Sequence, residues 1–246
     1  MTPDSASRLA CFVLVVSVLL VPVMPAQAQD TVRRTPDVAS FTEVGFSVPG
    51  TVHLRQGEPQ SVEVEGPAEV LDRLEIVVEG GTLEIRSETE GSWLDWFGGD
   101  DDLEGRVEVY VTAPTIEGLS VAGSGTIVSE TPIQNPSLEL RNAGSGGFDL
   151  EVDTDDLEIQ IAGSGTTRLR GRADAFSAEI AGSGDVEGEE LRTGIAEASI
   201  AGSGDVRLHV TDRLSVQIMG SGNVRYHGDP SVDTSILGSG VVEPIE

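Results

Sequence analysis

The triplet Gly-Ser-Gly occurs seven times in this chain, at intervals of 18 to 21 residues. Before each triplet apolar and polar residues alternate, and the alternation resumes after it, as in the segment "SIAGSGDVRL". An alternation with a period of two is typical of a β-strand that buries one face. Each repeat therefore predicts a strand, a glycine corner, a second strand and a looser second turn, such as Arg172-Ala173-Asp174 or Gly228-Asp229-Pro230.

Glycine suits such a corner because it accepts positive φ and leaves room for a neighbouring backbone. The predicted corner glycines are Gly123, Gly125, Gly144, Gly146, Gly163, Gly165, Gly182, Gly184, Gly202, Gly204, Gly220, Gly222, Gly238 and Gly240.

The aligned repeats form columns of equivalent residues, which favour stacking of one repeat on the next. The column two residues before the triplet reads Val121, Asn142, Ile161, Ile180, Ile200, Ile218 and Ile236. One repeat cannot bury its own apolar face, so neighbours must cover it. We therefore predict an all-β fold, a right-handed parallel β-helix of about seven coils, with an antiparallel meander as the alternative. Asn142 breaks its column, and we expect it to form a hydrogen bond within its longer repeat.

The chain divides into four predicted segments: a signal peptide (1–28), a linker (29–37), a strand-rich part (38–112) and the repeat β-helix (113–246). Turn signals at Pro49-Gly50, Gly66-Pro67 and Gly80-Gly81 separate short alternating runs in the third segment. An open β-helix end would expose unpaired backbone groups, so we expect these strands to cap or extend the first coil. At the other end Glu243, Pro244 and Glu246 are expected to discourage end-to-end pairing.

The first 28 residues predict export. An apolar run from Leu9 to Met24 is followed by the small-x-small triplet Ala26-Gln27-Ala28, which is typical of a secretory signal cleaved before Gln29. A retained N-terminal anchor is the alternative. Cys11 lies inside the apolar run, so the mature chain is expected to contain no cysteine. Periplasm, outer surface and extracellular medium all remain open as destinations.

Charge excludes two classes of partner. The chain has 42 acidic residues against 15 basic ones, all of them arginine, for a net charge of -27. Such a field repels nucleic acid and anionic membrane surfaces. The acidic surface is expected to serve solubility. The oligomeric state is not determined by the sequence, and no motif for a cofactor is present.

The stretch "VEVYVTAPTIEGLSVAGSGTI", followed by a ladder of "IAGSGD" units, resembles the auto-transporter adhesin head GIN domain family of bacteria. The resemblance covers residues 38 to 225 or beyond. It implies a secreted or envelope β-helical protein without an established enzymatic activity, and it brings no functional residue with it. The chain differs from many relatives because it lacks lysine and an evident lipid-attachment cysteine.

Two groups of residues are candidate sites. Trp93, Trp96 and Phe97 lie in an acidic segment, where exposed aromatic rings could bind a glycan, although a hairpin whose aromatic rings cover apolar surface is the alternative. Asp185, Asp205 and Asn223 share a column on the solvent side, so stacking would cluster oxygen ligands for a hard cation such as calcium. Asp and Asn are also ordinary turn residues after glycine.

A third column carries alternating charges, which we interpret as structural. Five residues after the first glycine stand Asp149, Arg168, Glu187 and Arg207, so stacking would place opposite charges on neighbouring coils. The three histidines are expected to be lone surface residues. His209 and His227 are expected in different coils and different columns, and no nucleophile and base are paired in the sequence.

The predicted function is a non-enzymatic, exported β-helical scaffold, adhesin-like, whose long flank binds glycan or another envelope component. A polysaccharide lyase or hydrolase is the first alternative, because β-helices host such sites, which is an inference from fold alone. A calcium-stabilised structural module is the second.

Overall fold

The computed structural model describes residues 31–87 and 107–245. The described chain is nearly all-β, with 17 strands and one short helix. The N-terminal elements are β1 (Thr31–Arg34), β2 (Glu43–Phe46), β3 (Thr51–Gln56), β4 (Ser61–Pro67), α1 (Ala68–Leu71), β5 (Leu74–Glu79), β6 (Thr82–Ser87) and β7 (Glu108–Ala113). The repeat elements are β8 (Gly118–Gly123), β9 (Thr126–Ser129), β10 (Ile133–Gly144), β11 (Gly147–Gly163), β12 (Thr166–Gly182), β13 (Asp185–Gly202), β14 (Asp205–Gly220), β15 (Asn223–His227), β16 (Ser231–Gly238) and β17 (Val241–Pro244).

The repeats stack as a parallel β-helix of about seven turns. Pairings among β8 to β17 are parallel, and they join equivalent residues: Gly144 pairs with Gly163, which pairs with Gly182. The β-helix prediction is confirmed and the antiparallel meander is wrong. The predicted turn at 172–174 is a bend within the continuous strand β12, because its backbone keeps pairing with the neighbouring coils.

The core is a dry column along the solenoid axis. Apolar positions two, four and six residues before each triplet are buried through β14, as are those four residues after it. Asn142 is 2% exposed and its Nδ2 donates to the carbonyl oxygen of Gly146 at 2.6 Å, so the expected hydrogen bond is confirmed. The Oδ1 of Asn142 and the Oγ1 of Thr167 are buried, and neither has a hydrogen-bond partner among the described residues.

From Gly144 onward the corners require glycine because the backbone of each corner lies directly against the corner of the preceding coil. Gly202 has a φ of 146°, and a Cβ there would lie 2.0 Å from the carbonyl oxygen of Gly182. The third residue of the triplet has ordinary φ, yet a Cβ on Gly204 would lie 2.1 Å from the carbonyl oxygen of Gly184. Backbones this close leave no space for a side chain, which explains the recurrence of the triplet.

The N-terminal strands continue the solenoid, but not in chain order. Strand β2 lies between β6 and β8, and β3 lies between β7 and β9. The first coil made by the chain is therefore enclosed between a later coil (β6 and β7) and the first repeat coil (β8 and β9). Residues 114–117 cross the enclosed coil, where the backbone N–H of Glu117 donates to the carbonyl of Thr42 at 2.8 Å.

Antiparallel strands cover the N-terminal end. Strand β5 pairs with β6, while β4 pairs with both β7 and β1. Residues 29–37 were predicted to form a linker, but Thr31–Arg34 within them form strand β1. Its sequence shows little alternation, and it is held by ion pairs from Arg33 to Glu63 and Glu65. The helix α1, also not predicted, buries Val70 and Leu71 against this end.

Candidate binding flank

One exposed flank of the β-helix combines a column of small apolar side chains with a column of polar ones. The residue immediately before each triplet points outward, and this column reads Ala122, Ala143, Ala162, Ala181, Ala201, Met219 and Leu237. The outward column two residues earlier contains Arg141, Gln160, Glu179 and Ser199. We call these two columns together the alanine flank. Register pairing holds them in line, with Ala143, Ala162 and Ala181 on successive coils.

A shallow depression of about 480 Å³ lies on the alanine flank. Methyl groups of Ala162 and Ala181 provide its apolar surface, and Gln160, Glu179 and Arg141 lie at its edge, where Gln160 donates to Glu158 and Arg141 forms an ion pair with Glu139. Apolar surface combined with a few polar groups is the usual composition of a ligand site. The alanine methyl groups recur on five successive coils, whereas the polar groups beside them differ from coil to coil.

A second open depression, of about 510 Å³, lies where the second turns stack. Arg172 and Arg192 are paired in register there, and Asp174, Asp212 and the half-exposed Ile195 also line it. Arg172 forms an ion pair with Asp174 at 2.6 Å, and this hydrogen bond raises the pKa of Arg172. Its charge is therefore already partly neutralised within the protein.

The predicted oxygen column forms a hydrogen-bonded ladder. The backbone N–H of Asp205 donates to Asp185 Oδ1 at 2.9 Å, and Asn223 Nδ2 donates to Asp205 Oδ1 at 2.8 Å. These bonds link three successive coils without an ion. Within residues 31–87 and 107–245, no three His, Cys, Asp or Glu side chains are grouped closely enough to hold a metal. Cation binding at this column stays a prediction.

The charge column stacks in the expected register, although its ion pairs are partly diagonal. Arg168 faces Glu187 and forms an ion pair with it at 2.8 Å. Asp149 faces Arg168 but pairs with Arg170, and Arg207 faces Glu187 but lies 3.9 Å from Glu189. Long arginine side chains reach two residues along the neighbouring strand, which the column alone does not show.

The histidines are not lone residues. His209 and His227 pair in register with ring centroids 6.2 Å apart, so the prediction of different columns is wrong. Each of these two histidines stands seven residues after the first glycine of its triplet, so counting from the triplet would have predicted that they share a column. His53 Nε2 lies 2.7 Å from Glu108 Oε2, and its ring stacks on Tyr110 with centroids 4.9 Å apart. These strands are distant in sequence, so no local pattern indicates that contact.

Trp93, Trp96 and Phe97 lie outside the described residues, and so does the predicted signal peptide. The alanine flank was not predicted from the sequence, because the column directly before the triplet was not compared between repeats. The signal is nevertheless present in the sequence, since alanine precedes the triplet in five of seven repeats. In the described ranges, no helix is both long enough and apolar enough to cross a membrane.

The stacked glycine corners, the continuous interior and the alanine flank define the protein as a parallel β-helix of the solenoid class. The family described as "Putative auto-transporter adhesin, head GIN domain" matches residues 40–230, and the chain belongs to this family. The family description names no ligand, and the curated proteins provide no match.

Solved structures share this fold over 89% of the chain and 98% of their own length. A putative adhesin from Bacteroides fragilis NCTC 9343 has a TM-score of 0.78 at 22% identity. A putative lipid binding protein from Parabacteroides distasonis ATCC 8503 has a TM-score of 0.70 at 23% identity. A putative adhesin from Parabacteroides merdae ATCC 43184 has a TM-score of 0.65 at 19% identity. At these identities the likeness establishes the fold.

Proposed function

We propose that the protein is an exported, non-enzymatic adhesin-like scaffold that binds a glycan or another extended envelope component through the alanine flank. The observation that carries the proposal is the in-register array of exposed methyl and polar groups, held on a rigid solenoid by the corner stack. The adhesin description of the family supports an exported or surface role.

The flank suits an extended ligand for a geometric reason. Successive coils lie about 4.8 Å apart, so the alanine methyl group recurs along one line over five coils, beside a column of polar groups that differ from coil to coil. Alanine methyl groups lose almost no side-chain entropy on binding, since they have no rotamers to fix. Donors and acceptors such as Gln160 and Glu179 alternate beside them, which fits hydroxyl-rich ligands.

The proposal is tested with a glycan array and with isolated envelope polysaccharide as probes. The double variant Ala162→Glu/Ala181→Glu places two carboxylates on the flank, where both alanines are exposed. The matched control is Thr126→Glu/Thr166→Glu, which adds the same charge on the outward column that already contains Asp185. We expect the flank variant to lose binding at least tenfold while the control binds normally, with circular dichroism unchanged in both.

A third variant separates the flank from the aromatic segment. Replacement of Trp93 and Trp96 by alanine should leave binding intact if the alanine flank is the site. Loss of binding in this variant alone would move the site to the aromatic segment and overturn the flank proposal. If the unaltered protein binds none of the probes, the ligand-binding part of the proposal is wrong and only the scaffold role stands.

A further inference from the structure

The C-terminal end of the β-helix is open and apolar. Six large hydrophobic residues are exposed among those described, and five of them belong to the last two coils: Met219, Leu237 and Val241 in outward columns, and Val232 and Ile236 in inward columns of the last coil. Val232 and Ile236 occupy columns that are buried in earlier coils, yet they are 38% and 42% exposed. The solenoid interior therefore reaches solvent at this end.

Strand β16 forms the open edge. It pairs with β14 on one side, and the described chain provides no strand for its other side. An edge strand with unpaired backbone groups and apolar side chains is a template for another strand. We propose that β16 pairs with β16 of a second copy, joining two solenoids tail to tail about a two-fold axis.

The sequence of β16 is self-complementary in one antiparallel register. With Thr234 opposite Thr234 of the second copy, Val232 faces Ile236 of that copy, and the reverse contact follows by symmetry. Inward residues then meet inward residues, so the two dry interiors become continuous. On the outer side Asp233, the single charged residue of β16, faces Ser235 of the second copy. No like charges stand directly opposite each other.

Charge also disfavours the head-to-tail alternative. The other end exposes β1, in line with β17, and β5, in line with β16, where Glu75 and Glu79 share one arginine, Arg86, and leave a net negative charge. A head-to-tail contact would bring Asp233 to this acidic edge, and repetition of it would build an open filament. A two-fold contact avoids both consequences because it uses the same patch twice and closes.

The residues expected to block end-to-end pairing lie on a different strand. Glu243 and Pro244 belong to β17, where Glu243 is already paired with Arg225 at 3.0 Å. Proline cannot donate to a new ladder, so β17 is protected. Strand β16 carries no such protection, and this difference restricts pairing to one strand.

Sedimentation equilibrium of the full chain over a wide concentration range tests the proposal. We expect reversible dimers that become tighter as salt rises, since salt screens the repulsion between two chains of net charge -27. The substitution Ser235→Arg places a cation opposite Asp233 twice per dimer and should tighten it roughly two- to thirtyfold. The matched Ser235→Asp should weaken it by a similar factor.

Two further variants test whether the dimer forms through β16: one should disrupt it and the other is a control. Thr234→Asp sets like charges against each other on the axis and should abolish the dimer. Ser203→Asp adds the same charge on an exposed serine in the corner two coils before β16 and should leave the dimer intact. A monomer at every concentration, including for Ser235→Arg, would overturn the proposal. So would a dimer indifferent to Thr234→Asp, or one that grows into filaments.

Discussion

The repeat region and the N-terminal region make the same β-helical cross-section by opposite means. In the repeat region each coil stacks on the coil before it through parallel backbone hydrogen bonds, and the glycine corners leave room for this close stacking. In the N-terminal region β2 and β3 are enclosed by β6 and β7 on one side and by β8 and β9 on the other. The comparison teaches that a solenoid requires each coil to align its buried residues with those of its neighbours. The neighbouring coils do not have to be consecutive along the chain.

The joint between the two regions shows what replaces the corner. The side chain of Phe46, fully buried, fills the space beside Gly125, where an added Cβ would lie 2.5 Å from the Phe46 ring. The boundary between the two regions is therefore packed by the Phe46 ring against the backbone of Gly125. The N-terminal region uses side-chain volume where the repeat region uses absence of a side chain.

The largest expected effect follows from removing this ring. Phe46→Ala should lower the free energy of unfolding by about 3–5 kcal/mol, because a buried phenyl group is lost and the rigid corner cannot collapse into the cavity. Urea titration followed by circular dichroism measures it. We expect one transition at lower denaturant. Two separate transitions, with the repeat region unaffected, would show that the regions are independent and would break the comparison.

A pair of glycine substitutions separates backbone contact from backbone strain. In Gly202→Ala the added Cβ both clashes with the neighbouring backbone and sits on a residue with positive φ. We expect the free energy of unfolding to fall by roughly 2–5 kcal/mol. Gly80→Ala, in the turn before β6, has a φ of 62° and no atom within 4 Å of the added Cβ, so about 1–2 kcal/mol is expected. Thermal melts of the two variants provide the comparison. Equal losses would contradict the role given to the corner contact.

A column position tests whether the repeat sequence is optimal for its core. Thr167 occupies a column with Val186, Val206 and Val224, and its buried Oγ1 has no hydrogen-bond partner within the described parts of the chain. Thr167→Val should stabilise the protein by about 1 kcal/mol because it removes an unsatisfied hydroxyl. The control is Thr193→Val, which loses a hydrogen bond to the carbonyl of Ile195 at 3.1 Å and should destabilise. Calorimetry that finds the same sign for both would refute the explanation.

The smallest expected effect concerns the charge column. Arg168→Glu would place a third acid between Asp149 and Glu187, and exposed pairs are worth only about 0.2–1 kcal/mol each. The loss should be greater at low salt, where the repulsion is unscreened. Melting temperatures across a salt series measure it. A loss that does not change with salt would indicate a packing defect instead of electrostatics.

Prediction from sequence succeeded where contacts repeat and failed where they do not. Columns such as the one containing Ile161 and Ile180 repeat at a nearly fixed spacing, so their register could be counted. The strand β1 and the stacking of His53 on Tyr110 depend on partners 30 to 60 residues away that share no motif. The alanine flank lay within reach of the same counting, while its shallow depression required coordinates.

The amino-acid sequence by itself favoured the parallel stack over an antiparallel meander and, for that stack, determined the alignment of the corners and of the buried columns, because neighbouring coils repeat one local pattern. Tertiary structure decided the enclosure of the first coil, the cap formed by β1, β4 and β5, and the exposure of β16. Those features depend on which strands meet at an end of the solenoid. Alternation tells a strand which face to bury, but it does not specify the neighbour at either edge.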